Sequence, residues 1–245
     1  MRRRTIGILG GMGPLATAEF YRQIVLRTPA RRDHEHLHVI VDADPSIPDR
    51  TAALLGDGPD PSPHLVAAAR RLEAAGADFL VIPCNTAHAF LPAVRAAVAI
   101  PVLDMIAEVA AVAARRFPVG TTVGVLATEG TIVARLYHRA FAPYDVRVIV
   151  PTAPAQRRVT RVIEAVKSGR LDDELRSEVS AVCELLVELG AEALVFACTE
   201  LSVLMDGISV PVHTIDAFRV LADATIEVAL GERPLPQLAE TPLPG

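Results

Sequence analysis

Short runs of aliphatic and β-branched residues alternate along the chain with stretches whose apolar positions recur at helical spacing. The strand-like runs fall at residues 5–9, 37–41, 79–82, 102–103, 122–126, 146–150, 194–196 and 210–213. Such alternation predicts an α/β fold with parallel sheets joined by helical crossovers. The clearest helix covers 171–189, with Leu175, Val179, Val182, Leu186 and Leu189 on one face and Gly190 as its stop. Residues 43–63 break the rhythm with Pro45, Pro48, Pro59, Pro61 and Pro63 and with Gly56 and Gly58. A connection of that length inside a compact domain is usually functional, and this one is placed to close over a cleft.

The pattern also repeats itself. Ile6-Gly7-Ile8-Leu9 returns as Val123-Gly124-Val125-Leu126, an offset of 117 that also carries Gly13 onto Gly130. The stretch around Leu80-Val81-Ile82-Pro83-Cys84-Asn85-Thr86 returns as Leu194-Val195-Phe196-Ala197-Cys198-Thr199-Glu200 at an offset of 114, and Ile100-Pro101-Val102 returns as Val210-Pro211-Val212 at 110. Equivalent elements in the same order, with a slowly drifting offset, indicate two similar lobes that differ by small loop deletions. The expected architecture is two α/β lobes related by pseudo-two-fold symmetry, with the active site in the cleft between them. Residues 1–103 plus 210–230 are assigned to the first lobe, 104–209 to the second and 231–245 to a C-terminal tail.

Composition narrows the classes of function. Of 245 residues 51% are hydrophobic, so a large core is available and disorder is excluded as the main state. A net charge of -5 offers no positive field for phosphates, which argues against a nucleic-acid partner. The longest uncharged stretch, 79–94, is too short and too polar to cross a bilayer, so no membrane partner is expected. Arg2, Arg3 and Arg4 ahead of an apolar run imitate a signal peptide, but that run dissolves into glycines, and the segment is read as part of the fold. Three cysteines without a C-x-x-C spacing fit a reducing cytoplasm rather than a disulfide framework or a structural zinc.

Cys84 and Cys198, equivalent under the repeat, each follow a strand and precede a helical stretch, the place where α/β proteins gather ligands. A cysteine is often only a small buried hydrophobe. A symmetric pair facing one cavity, by contrast, suits stereoinversion at carbon, one thiol removing a proton from one face and the other delivering one to the opposite face. Helix amides near each sulfur are expected to favour the thiolate. Cys183 lies on the apolar face of the 171–189 helix and reads as core. His88, one turn after Cys84, is either the base of a thiol hydrolase or a solvated or capping histidine. Glu200 and Asp206 are either helpers of Cys198 or plain helix-start acids. The turn Gly11-Met12-Gly13-Pro14-Leu15-Ala16 matches the dinucleotide fingerprint, but the acid expected about 20 residues on is represented by Asp42, 29 residues after Gly13. An amide-lined cradle for a carboxylate is the preferred reading of it. Arg50 can clamp a carboxylate with its fork, and Lys167 shares a helical stripe with Gln156 and Ile163. His34, His36 and His38 alternate at the start of a strand without a second ligand set, so no metal is expected.

Five stretches together carry a family resemblance: GILGGMGPLATAEFYRQIV at 7–25, IPDRTA at 47–52, GADFLVIPCNTAHAF at 76–90, LATEGTIV at 126–133 and ACTELSV at 197–203. The chain resembles the aspartate racemases of the cofactor-independent Asp/Glu racemase family. That resemblance implies catalytic cysteines at Cys84 and Cys198, a homodimer, a small amino-acid substrate, and no pyridoxal phosphate or other cofactor. It also implies that Met12, Asn85, Thr86, Thr128 and Thr199 hold the α-carboxylate and amino group, while Arg50 and Lys167 hold the side-chain carboxylate. The reaction so implied is interconversion of L- and D-aspartate, with glutamate as a related substrate; racemisation or decarboxylation of a related acid, and a cysteine hydrolase built on Cys84, are the alternatives. The chain departs from the family pattern at Asp42-Ala43-Asp44-Pro45, where asparagines are usual. An Asp44 close to the pocket would oppose a dicarboxylate unless Arg50 neutralised it.

Overall fold

The computed structural model describes residues 3–205, 207–208 and 210–236. The first half runs β1 (Ile6–Gly10), α1 (Pro14–Arg27), β2 (Val39–Ala43), α2 (Arg50–Leu55), α3 (Ser62–Ala74), β3 (Phe79–Val81), α4 (Leu91–Ala97), β4 (Val102–Leu103) and α5 (Met105–Arg116). The second half runs β5 (Thr122–Ala127), α6 (Glu129–Val133), α7 (Leu136–Phe141), β6 (Arg147–Ile149), α8 (Ala153–Lys167), α9 (Asp173–Glu188), β7 (Ala193–Ala197), α10 (Thr199–Leu204), β8 (His213–Asp216) and α11 (Ala217–Leu230). The strands form two four-stranded parallel sheets with the same order, β2-β1-β3-β4 and β6-β5-β7-β8. β1, β3 and β7 are buried along their whole length, which is why they read as unbroken apolar runs rather than as alternating ones.

The repeat persists down to single contacts. A Cβ on Gly7 would meet the side chains of Leu80, Ala77 and Leu72, and one on Gly124 would meet those of Leu194, Ala191 and Leu186, the residues 114 further along in each case. Both halves need a glycine in the first strand because the third strand and the helix before it press against that face at the same place. The central core is shared: Ile6, Ile8 and Phe79 of one sheet and Val123, Val125 and Val195 of the other pack with α1, α5, α7 and α11. Separate apolar layers cover the outer faces, α3 and α4 on the first sheet and α8, α9 and α10 on the second.

Several expectations are corrected here. Residues 213–216, assigned to the first lobe, pair with β7 and extend the second sheet. The reason is the repeat itself, since β8 stands to β7 as β4 stands to β3. α5 and α11, which follow these two strands, pack together in the central layer. The proline-rich segment is not all loop, because Asp49 caps the short helix α2 by accepting from the Ala52 N–H at 2.8 Å. The histidine triplet does not alternate along a strand: a single 3-10 turn, Asp33–Glu35, holds His34, and β2 begins only after His38. The 171–189 helix is close to its expected span, started by Asp172 and ended at Gly190 with φ +96°. Residues 237–245 of the expected tail lie outside the described residues, whereas Arg233 just before them forks onto Glu108 with two 2.6 Å bonds. Among the described residues no helix is long and apolar enough to cross a membrane.

Candidate active site

The carboxyl ends of the inner strands of both sheets meet at one small cavity. Its walls are Met12 after β1, Asp49, Arg50 and Thr51 at the start of α2, Cys84, Asn85 and Thr86 after β3, Thr128 after β5, Lys167 ending α8, and Cys198, Thr199 and Glu200 after β7. The structure thus brings together every residue named above as catalytic or substrate-binding, with Glu200 beside them. The cavity is tight, about 20 Å³, room for a single water rather than an amino acid, so a substrate requires the walls to part.

One contact holds the two halves together beside the cavity. Gly130 in α6 lies so close to α2 that a Cβ there would sit 2.9 Å from Thr51 Cα and 3.0 Å from Thr86 Cγ2. Glycine is what lets the proline-rich segment of the first half lie against the second. On the lid, Arg50 is 8% exposed, its Nη1 donating to the carbonyls of Pro48 at 3.0 Å and Ile47 at 3.3 Å. Its Nε is buried without a hydrogen-bond partner among the described residues, a donor left over for a ligand. Lys167 approaches from the other half, its Nζ 4.0 Å from Asp49 Oδ2.

Both sulfurs are buried, Cys84 at 6% and Cys198 at 4% exposure. Cys198 stands at the N-cap of α10, but desolvation pushes its thiol well above the ordinary range, and the nearby Glu200 carboxylate adds to the shift. The expected stabilisation of a thiolate by helix amides therefore loses at this position: six residues of helix do not outweigh burial beside an anion. The Cys198 S–H donates to Glu200 Oε2 at 3.1 Å, and the Thr199 hydroxyl donates to the same oxygen at 3.3 Å. Thr86, Thr128 and Thr131 close a ring of hydroxyls at 2.7, 3.0 and 3.0 Å that joins the two halves. Cys183 is fully buried on the core face of α9, its thiol pushed up to about 12 by desolvation.

The geometry also places four other features that the sequence raised. His88 is no base for a thiol: its Nδ1 faces the Cys84 carbonyl at 2.9 Å and its Nε2 accepts from the Met105 N–H at 3.1 Å. Both nitrogens are thus committed to backbone, and desolvation holds the ring below the ordinary histidine range, which removes the basis for a Cys84 hydrolase. In the glycine turn the Gly11 amide donates to Thr17 Oγ1 at 2.9 Å and Pro14 has no N–H, which leaves the Met12 and Gly13 amides as the candidates for a carboxylate cradle. Asp42 is held by Arg71 at 2.8 Å rather than poised for a ribose. Asp44 is not among the residues that line the cavity; it accepts from the Ser46 backbone and hydroxyl, with Arg71 at 3.6 Å. Asp206 lies outside the described residues.

Sequence reasoning passed over Thr131, Asp49 and Thr51, although all three sit inside the stretches that carry the resemblance. It also passed over Tyr137, which donates to Asn85 Oδ1 at 2.6 Å.

Two pseudo-symmetric parallel sheets that bring one cysteine each to a shared polar cavity define a duplicated α/β protein with its candidate site between the halves. The comparisons give that class a family. The Asp/Glu/Hydantoin racemase model matches residues 9–225, and the chain belongs to that family of isomerases. It is similar to the broad specificity amino-acid racemase RacX of Bacillus subtilis (strain 168), 28% identical over 231 residues that cover 92% of this chain and 98% of that one. A glutamate racemase of Corynebacterium kroppenstedtii is 34% identical over 149 residues, 58% of this chain and 50% of that protein. Among solved structures, the aspartate racemase of Picrophilus torridus superposes with a TM-score of 0.83 at 28% identity, covering 95% of this chain and 96% of that one.

Proposed function

We propose that this amino-acid racemase interconverts L- and D-aspartate by proton transfer between Cα and two thiols, Cys84 on one face and Cys198 on the other. The observation that carries this reading is the pairing of these two cysteines, equivalent in the repeat, around one cavity that also holds Arg50 and Lys167. Two facing cations at a cavity end suit a second carboxylate, and the structural likeness to an aspartate racemase favours the shorter dicarboxylate.

Burial raises the Cys198 thiol above the ordinary range, which suits it to deliver a proton, while Cys84 removes one from the opposite face. For the reverse reaction the two roles exchange. The α-proton is weakly acidic, and its removal spreads charge onto the α-carboxylate. Asn85, Thr86, Thr128 and Thr199 supply neutral donors where that charge develops, in a site from which water is largely excluded. Glu200 accepts a hydrogen bond from the Cys198 thiol, which holds the sulfur in place at the cavity wall. Neither pyridoxal phosphate nor a metal takes part in these steps.

The test is incubation of L-aspartate, L-glutamate and a panel of neutral and basic amino acids in deuterated water, followed by chiral analysis and mass measurement. D-aspartate labelled at Cα, formed while the remaining L-aspartate stays unlabelled in early turnover, is the expected result. Label appearing equally fast in both enantiomers rejects two separate bases, and turnover of only neutral or basic amino acids rejects aspartate as substrate.

A further inference from the structure

Tyr137, on α7, keeps its ring in the central core at 2% exposure, with the Phe141 ring 5.7 Å away between centroids. The offset of 117 that carries Gly7 onto Gly124 also carries Phe20 onto Tyr137, and Phe20 is buried in the same core. A plain phenyl ring thus satisfies this position in the first half, and the hydroxyl is an addition in the second. A buried hydroxyl costs free energy unless it is hydrogen-bonded. This one reaches out of its own half to donate to Asn85 Oδ1 at 2.6 Å. Burial pushes the phenol well above its ordinary range, which keeps it a donor.

Asn85 is 3% exposed and lines the cavity. Among the described residues its Nδ2 has no hydrogen-bond partner. An amide has one accepting end and one donating end, so anchoring the acceptor decides what is left for a ligand.

We propose that Tyr137 is a positioning residue that locks the Asn85 side chain with its N–H edge offered to the substrate's α-carboxylate, an inference that rests on the racemase reading of the site. Without the hydroxyl the amide is free to turn over. Turned over, it presents its carbonyl oxygen to an anion and repels it. The carboxylate gains negative charge as the Cα–H bond breaks, so a fixed N–H there helps the transition state more than the bound substrate. The hydroxyl also ties the two halves together at the cavity wall, making the orientation of Asn85 a property of their contact.

The experiment compares wild type, Tyr137→Phe, Asn85→Ala, the double variant and Asn85→Asp, each assayed with the amino acid that the wild type racemises fastest. Tyr137→Phe should keep a melting temperature near wild type, as the phenyl at Phe20 indicates, and lose about tenfold in kcat/KM. Most of that loss should fall in kcat, a split that a merely structural role would not produce. In the Asn85→Ala background the same change should cost nothing further, because the group through which it acts is gone. Asn85→Asp keeps an acceptor for Tyr137 but has no N–H, and should be at least as impaired as Asn85→Ala; this arm can still overturn the inference if Tyr137→Phe does not fold. Full activity of Tyr137→Phe or of Asn85→Asp, or an undiminished loss in the Asn85→Ala background, overturns the inference. A wild type inactive on every amino acid sinks the racemase reading and this inference with it, whereas an active wild type with an indifferent Tyr137→Phe sinks this inference alone.

Discussion

At the scale of single residues, the three cysteines separate by what surrounds each sulfur. Cys84 and Cys198 line the cavity, while Cys183 touches only the core behind the second sheet. Cys84→Ala and Cys198→Ala should each abolish racemisation in both directions, since each enantiomer needs an acid and a base from opposite faces. Conversion of either enantiomer at near wild-type rate by one of these variants, read by chiral chromatography, would contradict the assignment. Cys183→Ala should leave turnover intact and cost about 1 kcal/mol in denaturant unfolding, the ordinary effect of trimming a core side chain. His88 belongs at this scale too. Its ring is held neutral by burial, so its folded pKa lies below the ordinary value of 6.5. The unfolded chain then binds the proton that the folded one refuses, and His88 lowers stability as pH falls through that value. Melting temperatures recorded across the range should decline toward acid, with a shallower decline in His88→Gln.

At the scale of elements, the lid helix α2 and the end of α8 carry the recognition of the distal carboxylate. Lys167→Ala should lower kcat/KM for aspartate by about ten- to a hundredfold, the size expected for one charge-assisted hydrogen bond, and should leave alanine as a substrate no worse than before. An unchanged kcat/KM for aspartate would place the side-chain pocket elsewhere. Arg50→Ala should act in the same direction and loosen the lid as well, because Arg50 also ties down the carbonyls of Ile47 and Pro48. Gly130 tests the contact between the halves. A methyl group there meets backbone at Thr51, so Gly130→Ala must push α2 off α6, at about 1 to 3 kcal/mol of overpacking. Steady-state kinetics should show a raised KM and a kcat/KM reduced by about tenfold; a variant with wild-type kinetics would mean that the cleft works without this contact.

At the scale of the whole molecule, the duplicated α/β plan is written in the sequence. The period of the apolar runs, Gly7 with Gly124, and Cys84 with Cys198 predict two similar parallel sheets and one cysteine site on each, because strand burial and tight strand-to-helix packing act through local residue types. Met12, Cys84, Asn85, Thr86, Thr128, Cys198 and Thr199 were legible for the same reason, each following a strand where the chain must turn, whereas Arg50 and Lys167 stand at helix ends. Other features belong to no local pattern. β8 joins the second sheet because it completes the β3/β4 relation in the other half, and only pairing in space reveals which sheet it extends. Asp44 lies 3.6 Å from Arg71, a partner supplied by α3. His88 is a structural residue because two backbone groups fold onto its nitrogens. The sequence by itself determined the repeat, the strands and the thiol pair. The tertiary structure alone decided that burial raises the Cys198 thiol and that Tyr137 reaches Asn85, since desolvation depends on how the whole fold packs and this hydrogen bond joins residues 52 apart along the chain.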